Sequence, residues 1–510
     1  MDTPLFLRYI WVMINFRKSE IYKNPNFILG LILFVFFLKG VLLSSAFPIF
    51  GGQDESRHYN TIQFLAEPKE KNWKMEKRTD VQQDKDDIST YRYSDEIKQT
   101  SLATNTDVLR SEIFNTIAFS SNDIGINESE IKSKPWQPIN RITPPDMVYT
   151  SQFFHKITAL IEKTFSNQDI LIRFYLIRIF SVLLGTFAIF LSYLIAKNMG
   201  FSPKHSLMLA AIISFQPKFS MYFANINYDV LMIPMFFLFT LAGVLTLKKG
   251  LHWKNILLFV FSIAIATLTK GTGYMLIIIL LALVAYLIYE KVKLQKKQIR
   301  LAVFGLSIFV FLFASLFVYR HFFSISNSFG ETISSMGEYV SKTITFGKFL
   351  LPSSTYWGNL NWVNSWTLNN ATNFIFIIEI AAIVGLGMML FSKKIKTDFL
   401  PEKKYVIFLV SMIVFLQLGI RLVDWNIFNQ IGGLKMSTGT PGRYFLPNLA
   451  AHIILVFTGL GALLELISRK YKLSVSEEKM LDHSLVISLI LMFFFCSYLM
   501  FNVIIYRFYL

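Results

Sequence analysis

The sequence predicts an all-α polytopic membrane protein with about 11 transmembrane helices and a large first extracytoplasmic loop carrying amphipathic interfacial helices. Three observations carry that prediction. Apolar runs of bilayer length, roughly 17 to 25 residues, recur along the 510-residue chain, which is 53% hydrophobic and 16% aromatic. Only 16% of its residues are charged, against about 25% in a typical soluble domain. Lys and Arg gather in short loops between apolar runs, so the net charge of +17 reads as positive-inside anchoring and not as a nucleic-acid surface. The single cysteine, Cys496, lies in an apolar run, which leaves no intramolecular disulfide or cysteine-based metal site.

Residues 1–26 form a cytoplasmic N-terminus, in which PLFLRYIWVMINF (4–16) reads as a short interfacial helix before the basic RKSEIYK. Residues 27–48 are the first transmembrane helix. A signal peptide is the rival reading, but its charged lead-in would be unusually long and no small-x-small cleavage site is compelling. Residues 49–170 form the one large polar region, an extracytoplasmic loop with an acidic motif. Its middle, 68–140, is either a loose loop or a small insert. Its two ends have helical spacing: DESRHYNTIQFLAE, with Ile62, Leu65 and Ala66 on one face, and the amphipathic stretch 143–165. Transmembrane helices 2–7 occupy 171–320, near 171–196, 207–223, 228–247, 255–270, 273–289 and 301–320. A Trp-rich extracytoplasmic loop covers 321–372. Helices 8–11 fill 373–510, near 373–391, 405–422, 444–467 and 484–506.

With the N-terminus in the cytoplasm, the basic loops KNMGFSPKH, KKGLHWK, EKVKLQKKQIR, SKKIKTDFLPEKK and SRKYKLSVSEEK all face the cytoplasm. The unusual polar segments then share the other side. These are the acidic pair Asp54–Glu55, NINYD (225–229), TKGTGY (269–274), the loop with YWGNLNWVNSW, and STGTPGRYF (437–445).

Asp54, Glu55 and His58 put two carboxylates and an imidazole on one helical edge at the membrane surface. A carboxylate there can deprotonate a hydroxyl, hold a divalent cation, or cap a helix. The spacing is not that of an HExxH zinc protease. Asp229, after Asn227 and Tyr228, is an ionisable group at the start of a span. It is either a helix cap or a site residue. Lys270 and Arg443 are cations at the outer ends of spans, against the positive-inside trend. They suit a lipid-linked phosphate, although snorkelling to headgroups also explains such a residue. Trp357 and Trp362 lie among Asn and Ser, as interface anchors or as a carbohydrate-stacking surface.

In order, these motifs resemble the membrane glycosyltransferases of the GT-C superfamily, and more closely the bacterial branch named as domain of unknown function 2142. The resemblance rests on a DExxH motif (Asp54, Glu55, His58) and a PPLYY-like segment (Pro144, Pro145, Tyr149). It continues through NYD (Asn227, Tyr228, Asp229), WG-x-x-x-W (Trp357, Gly358, Trp362) and GRYxLP (Gly442, Arg443, Tyr444, Leu446, Pro447). Thr143 stands where a His is common, and Thr440–Pro441 replaces a Gln. The resemblance implies transfer of a sugar from a polyprenyl-phosphate donor to a glycan, lipid or protein acceptor, on the outer face of the bacterial inner membrane. Asp54 would be the base, with Glu55 and His58 beside it. Asn227, Tyr228, Asp229, Lys270, Trp357, Trp362, Arg443 and Tyr444 would bind substrate. No cofactor is implied, although a divalent cation could sit at Asp54 and Glu55. The alternatives are a transporter or flippase, which would show repeats and broken helices at mid-membrane, and a polymerase or ligase of lipid-linked polysaccharide.

Overall fold

The computed structural model describes residues 24–52, 54–67, 93–103, 145, 152–291, 334, 337–339, 341, 355–358, 366–392, 399–430, 442–472 and 474–505. Every regular element among the described residues is helical, and eight of these helices are long and apolar enough to cross a membrane. The predicted interfacial helix at 4–16 and the predicted span at 301–320 lie outside the described residues.

Helix α1 (Pro25–Ala46) starts on Asn24, whose side chain accepts from the Asn26 amide, with Pro25 in the first turn. Phe27, Leu31, Phe34, Leu38 and Leu42 are exposed at helical spacing, and Leu29, Phe36 and Leu43 are buried on the other face. That pattern is a lipid-facing stripe opposite a packed one. The polar region supplies α2 (Glu55–Ala66), α3 (Asp95–Ala103) and α4 (Phe153–Thr164). A buried polar knot holds them to α5 (Ile170–Met199). In it Arg173 bridges Glu96 and Glu162, the Tyr59 hydroxyl donates to Glu162 at 3.0 Å, and Gln63 donates to Glu96 at 2.5 Å. Burial pushes the Glu162 carboxyl up to about 7, although the Arg173 guanidinium pulls the other way.

The stretch expected as one span at 207–223 is two helices, α6 (Pro203–Ser214) and α7 (Pro217–Phe223). Pro217 offers no N–H and forces Gln216 out of the helical region, to ψ 119°, and the Gln216 side chain then caps α7 through the Phe219 amide at 2.5 Å. Lys39 of α1 closes the break by donating to the Ser214 carbonyl and, at 2.8 Å, to the Ser220 hydroxyl. Polar groups therefore also lie inside the bundle, contrary to the sequence-based expectation that they cluster at one face.

Helix α8 (Asp229–Lys249) is the centre of the bundle, buried along nearly its whole length and packed on α5 and on α9 (Trp253–Thr269). A 3₁₀ turn, Gly271–Tyr274, leads into α10 (Met275–Lys291). After a further gap come α11 (Trp366–Phe391) and α12 (Lys403–Gln430). The 3₁₀ turn Gly442–Asn448 then opens α13 (Leu449–Tyr471), and α14 (Glu477–Leu499) ends in a π segment. Helices α11 and α13 touch backbone to backbone: a Cβ on Gly385 would collide with the Gly459 carbonyl. Small residues permit such contact where no hydrophobic effect drives helices together.

The two ends of the bundle differ. At one, Lys204 pairs with Asp482 and Lys248 with Asn198, between the basic loops. The other carries Asp54, Asp229, Lys270 and Arg443, each at or beside a helix terminus.

Candidate functional site

Asp54 stands at the N-cap position of α2 in a left-handed conformation, φ 56°. Asp tolerates that region better than most residues. Its side chain makes no capping bond. The carboxylate instead meets Arg443, whose Nη2 donates to Oδ2 at 3.0 Å across 389 residues of sequence.

Glu55 faces the opposite way and is fully buried. Arg178 of α5 grips it with two bonds, Nε to Oε1 at 2.9 Å and Nη2 to Oε2 at 2.7 Å. The Ile226 and Gly52 amides donate to the same carboxylate at 2.8 and 2.9 Å. Arg178 spends its other protons on the carbonyls of Ser44, Phe47 and Pro48, at 2.6, 2.7 and 2.9 Å. This bolt ties the end of α1 to α2, α5 and the 225–229 turn. It fixes the backbone from which Asp54 projects.

His58 packs edge-on against Tyr228, with ring centroids 4.8 Å apart, and stacks on His155 of α4, with Nδ1 3.0 Å from the His155 Nε2. Burial first, and then the charges of Arg443, Lys270 and Arg57, draws His58 down to about 3. Burial and His58 hold His155 well below the ordinary range as well. The pair is neutral at physiological pH and shares one N–H between two nitrogens.

Asp229 opens α8 without capping it. The Asn227 side chain takes that part, accepting from the Val230 amide at 3.2 Å. Asp229 instead accepts from Lys270 at 2.8 Å and from the Tyr222 hydroxyl at 3.0 Å. Lys270 turns inward, its ammonium 4.7 Å from the Tyr228 ring centroid and 4.2 Å from that of Tyr444. The snorkelling alternative for this residue therefore gives way to an inward ion pair. Arg443 lies 5.1 Å from the Tyr444 ring centroid. Its Nε and Nη1 are buried and have no hydrogen-bond partner among the described residues. Two donors of a guanidinium left so are costly unless an acceptor arrives.

Trp357 is 4% exposed and donates its indole N–H to Glu379 at 2.9 Å. It is neither an interface anchor nor an open stacking face, because a carboxylate midway along α11 draws it into the bundle. Its neighbours stitch the same segment down. The Tyr356 carbonyl accepts from Gln216 at 2.6 Å, the Tyr356 hydroxyl lies 3.1 Å from His452, and Thr355 accepts from the Gly442 amide at 2.8 Å. Trp362, Pro144 and Tyr149 lie outside the described residues.

The site thus unites Asp54, His58, Asn227, Tyr228, Asp229, Lys270, Arg443 and Tyr444, and leaves Glu55 behind it as support. Arg178, His155 and Tyr222 were not among the sequence candidates. Arg178 had a signal, an ionisable residue within a predicted span. His155 and Tyr222 had none.

A family model described as dolichyl-phosphate-mannose-protein mannosyltransferase matches residues 171–317. The match begins in α5 and takes in Arg178, Asp229 and Lys270; Asp54 and Arg443 lie outside it. No curated protein and no solved structure matches the chain.

Proposed function

We propose that the chain is a GT-C-type glycosyltransferase of the branch named domain of unknown function 2142. In this reading it moves a sugar from a polyprenyl-phosphate donor to an acceptor hydroxyl on the extracytoplasmic face of the bacterial inner membrane. The observation that carries the reading is the Asp54–Arg443 contact. It brings a carboxylate able to take a proton beside a guanidinium whose Nε and Nη1 are buried with no hydrogen-bond partner among the described residues. The family model matched at 171–317 supports the donor class.

The acceptor oxygen attacks the anomeric carbon while Asp54 receives the hydroxyl proton. The bond from that carbon to the phosphate oxygen breaks, and both electrons leave with the phosphate. Arg443 donates to that oxygen as its charge grows, which is where fixed donors contribute most. Lys270, held by Asp229 between the Tyr228 and Tyr444 rings, lines the entry for the sugar phosphate. The neutral His58–His155 pair holds Tyr228. The reaction is drawn without a metal: Asp54 and Glu55 are each matched by a separate guanidinium, a donor set that does not fit one cation shared between them. A flippase draws support from the break between α6 and α7. Lys39 occupies the carbonyl and hydroxyl at that break, which argues against a substrate passing there.

The test is donor binding and turnover in purified Arg443→Ala and Arg443→Lys. Charge-assisted hydrogen bonds are worth roughly 1.5–3 kcal/mol. Arg443→Ala should therefore weaken donor binding about 10- to 100-fold, and Arg443→Lys should recover only part of it, since an ammonium lacks the fork. Equal affinity in all three proteins would remove the phosphate site from Arg443.

Orientation is tested separately. In a Cys496→Ser background, Asn167→Cys, in the turn between α4 and α5, should react with an impermeant thiol reagent from outside. Ser474→Cys, between α13 and α14, should react only after the membrane is opened. The reverse pattern would put the site in the cytoplasm and end the proposal.

A further inference from the structure

We propose that Glu379 and His452 are positioning residues for Arg443, acting through the 355–358 segment to hold the turn from which its guanidinium projects. The inference rests on the glycosyl-transfer reading above, in which Arg443 meets the donor phosphate.

Glu379 is a lone carboxylate midway along α11, within the apolar stretch IFIIEIAAI (375–383). Ile377, Ile380 and Ile383 around it are exposed, as on the lipid-facing side of a span. An ionisable group at that level is expensive and marks a functional candidate. Glu379 turns toward its neighbours in the bundle. Its Oε1 accepts from the Trp357 indole at 2.9 Å and lies 3.2 Å from Nε2 of His452 on α13. A carboxylate oxygen accepts, so Nε2 is the donor in that contact, and Nδ1 is left to face the Tyr356 hydroxyl at 3.1 Å.

Thr355 and Tyr356 are adjacent, and they grip the two ends of one stretch of chain. The Thr355 hydroxyl accepts from the Gly442 amide at 2.8 Å, and the Tyr356 hydroxyl meets His452. Between these grips lies the 3₁₀ turn Gly442–Asn448, of which Arg443 is the second residue. Gln216, at the break between α6 and α7, steadies the grips by donating to the Tyr356 carbonyl at 2.6 Å. The frame behind them is stiff. About two turns deeper along the same two helices, a Cβ on Gly385 would collide with the Gly459 carbonyl, and one on Gly459 with the Ala382 carbonyl.

Arg443 needs such support. Its Nη2 reaches Asp54 at 3.0 Å, while Nε and Nη1 are buried with no hydrogen-bond partner among the described residues. Donors held open for a phosphate cannot also hold the side chain, so its aim depends on the backbone beneath it. The Glu379 network reaches that backbone through the Gly442 amide, one residue from Arg443.

The experiment measures affinity for farnesyl phosphate on the purified full chain, well below the melting temperature of every variant. Tyr356→Phe and Thr355→Val each remove one hydroxyl and keep the shape of the side chain. Glu379→Leu removes the shared acceptor, and Glu379→Gln keeps a carbonyl oxygen in its place. Tyr356→Phe and Thr355→Val should each weaken binding about 3- to 10-fold, and Glu379→Leu by at least as much. Glu379→Gln should stay within about twofold of wild type. The deciding comparison is made in Arg443→Ala, where the same changes should cost nothing further, because the side chain they aim is gone. Losses of the same size with and without Arg443 would make the network a general staple between α11 and α13 and end the proposal. Wild-type affinity in Tyr356→Phe and Thr355→Val would end it as well, leaving the glycosyl-transfer reading in place. Wild-type protein that bound no farnesyl phosphate, or Arg443→Ala that bound it equally well, would overturn the phosphate site itself, and this inference with it.

Discussion

Asp54→Asn should abolish the proposed sugar transfer while leaving lipid-phosphate binding intact or tighter. The amide cannot take the acceptor proton, and a positioned general base is commonly worth about 10²–10⁴ in rate. The same change removes the charge that holds Nη2 of Arg443 at 3.0 Å. Arg443 would then face the donor phosphate with no competing carboxylate. By linkage, whatever free energy the Asp54–Arg443 pair contributes in the unliganded protein returns as donor affinity. The two effects oppose each other in sign, which makes the variant informative. Turnover with polyprenyl-linked sugar and equilibrium binding of farnesyl phosphate measure them independently. Turnover near the wild-type rate would remove Asp54 from the chemistry. A joint loss of binding and turnover would make Asp54 an architectural partner of Arg443 and not a base.

Helix positions and the shared end of the bundle were legible in the sequence because the bilayer imposes them. A span must be long, apolar and internally hydrogen-bonded, and basic residues mark one side. Asp54, Asp229, Lys270 and Arg443 were legible as candidates for the same reason, since polar groups at a span's outer end are rare enough to notice. Their pairings were not. Asp54 satisfies the sequence rules for a helix cap as well as those for a base, and only the fold, which brings Arg443 to it, decides that its side chain is not a cap. Asp229 posed the same ambiguity. Asn227 resolves it by taking the cap, which frees the carboxylate for Lys270. Glu55 looked equivalent to its neighbour and is its opposite, buried and fully bonded. The break at 215–216 escaped because hydropathy averages over a window, and Gln216–Pro217 is too short to lower the mean. The local rule that proline restricts the residue before it was the available signal. Trp357 escaped because its partner Glu379 is a lone carboxylate in an apolar run.

The largest stability effect should come from the Glu55–Arg178 bolt. Both side chains are fully buried, and their ion pair is a two-bond contact at 2.9 and 2.7 Å. Removing one member strands the other charge away from water, which typically costs about 3–5 kcal/mol. Arg178→Met should therefore lower the melting temperature of the detergent-solubilised protein sharply, and Glu55→Leu should do so by a similar amount. The double variant discriminates between charge and architecture. Removing both charges together relieves the stranded-ion penalty, so Glu55→Leu/Arg178→Met should be more stable than either single variant. It should still fall short of wild type, because the carbonyls of Ser44, Phe47 and Pro48 and the amides of Gly52 and Ile226 lose their partners. Those same groups fix the 52–55 turn. Transfer activity should thus stay low in the double variant even where stability returns, with kcat falling more than donor affinity, since Asp54 would be present but poorly aimed. Single variants that melt with the wild type would show that the pair is not holding the turn. A double variant with full turnover would show that Asp54 needs no such support.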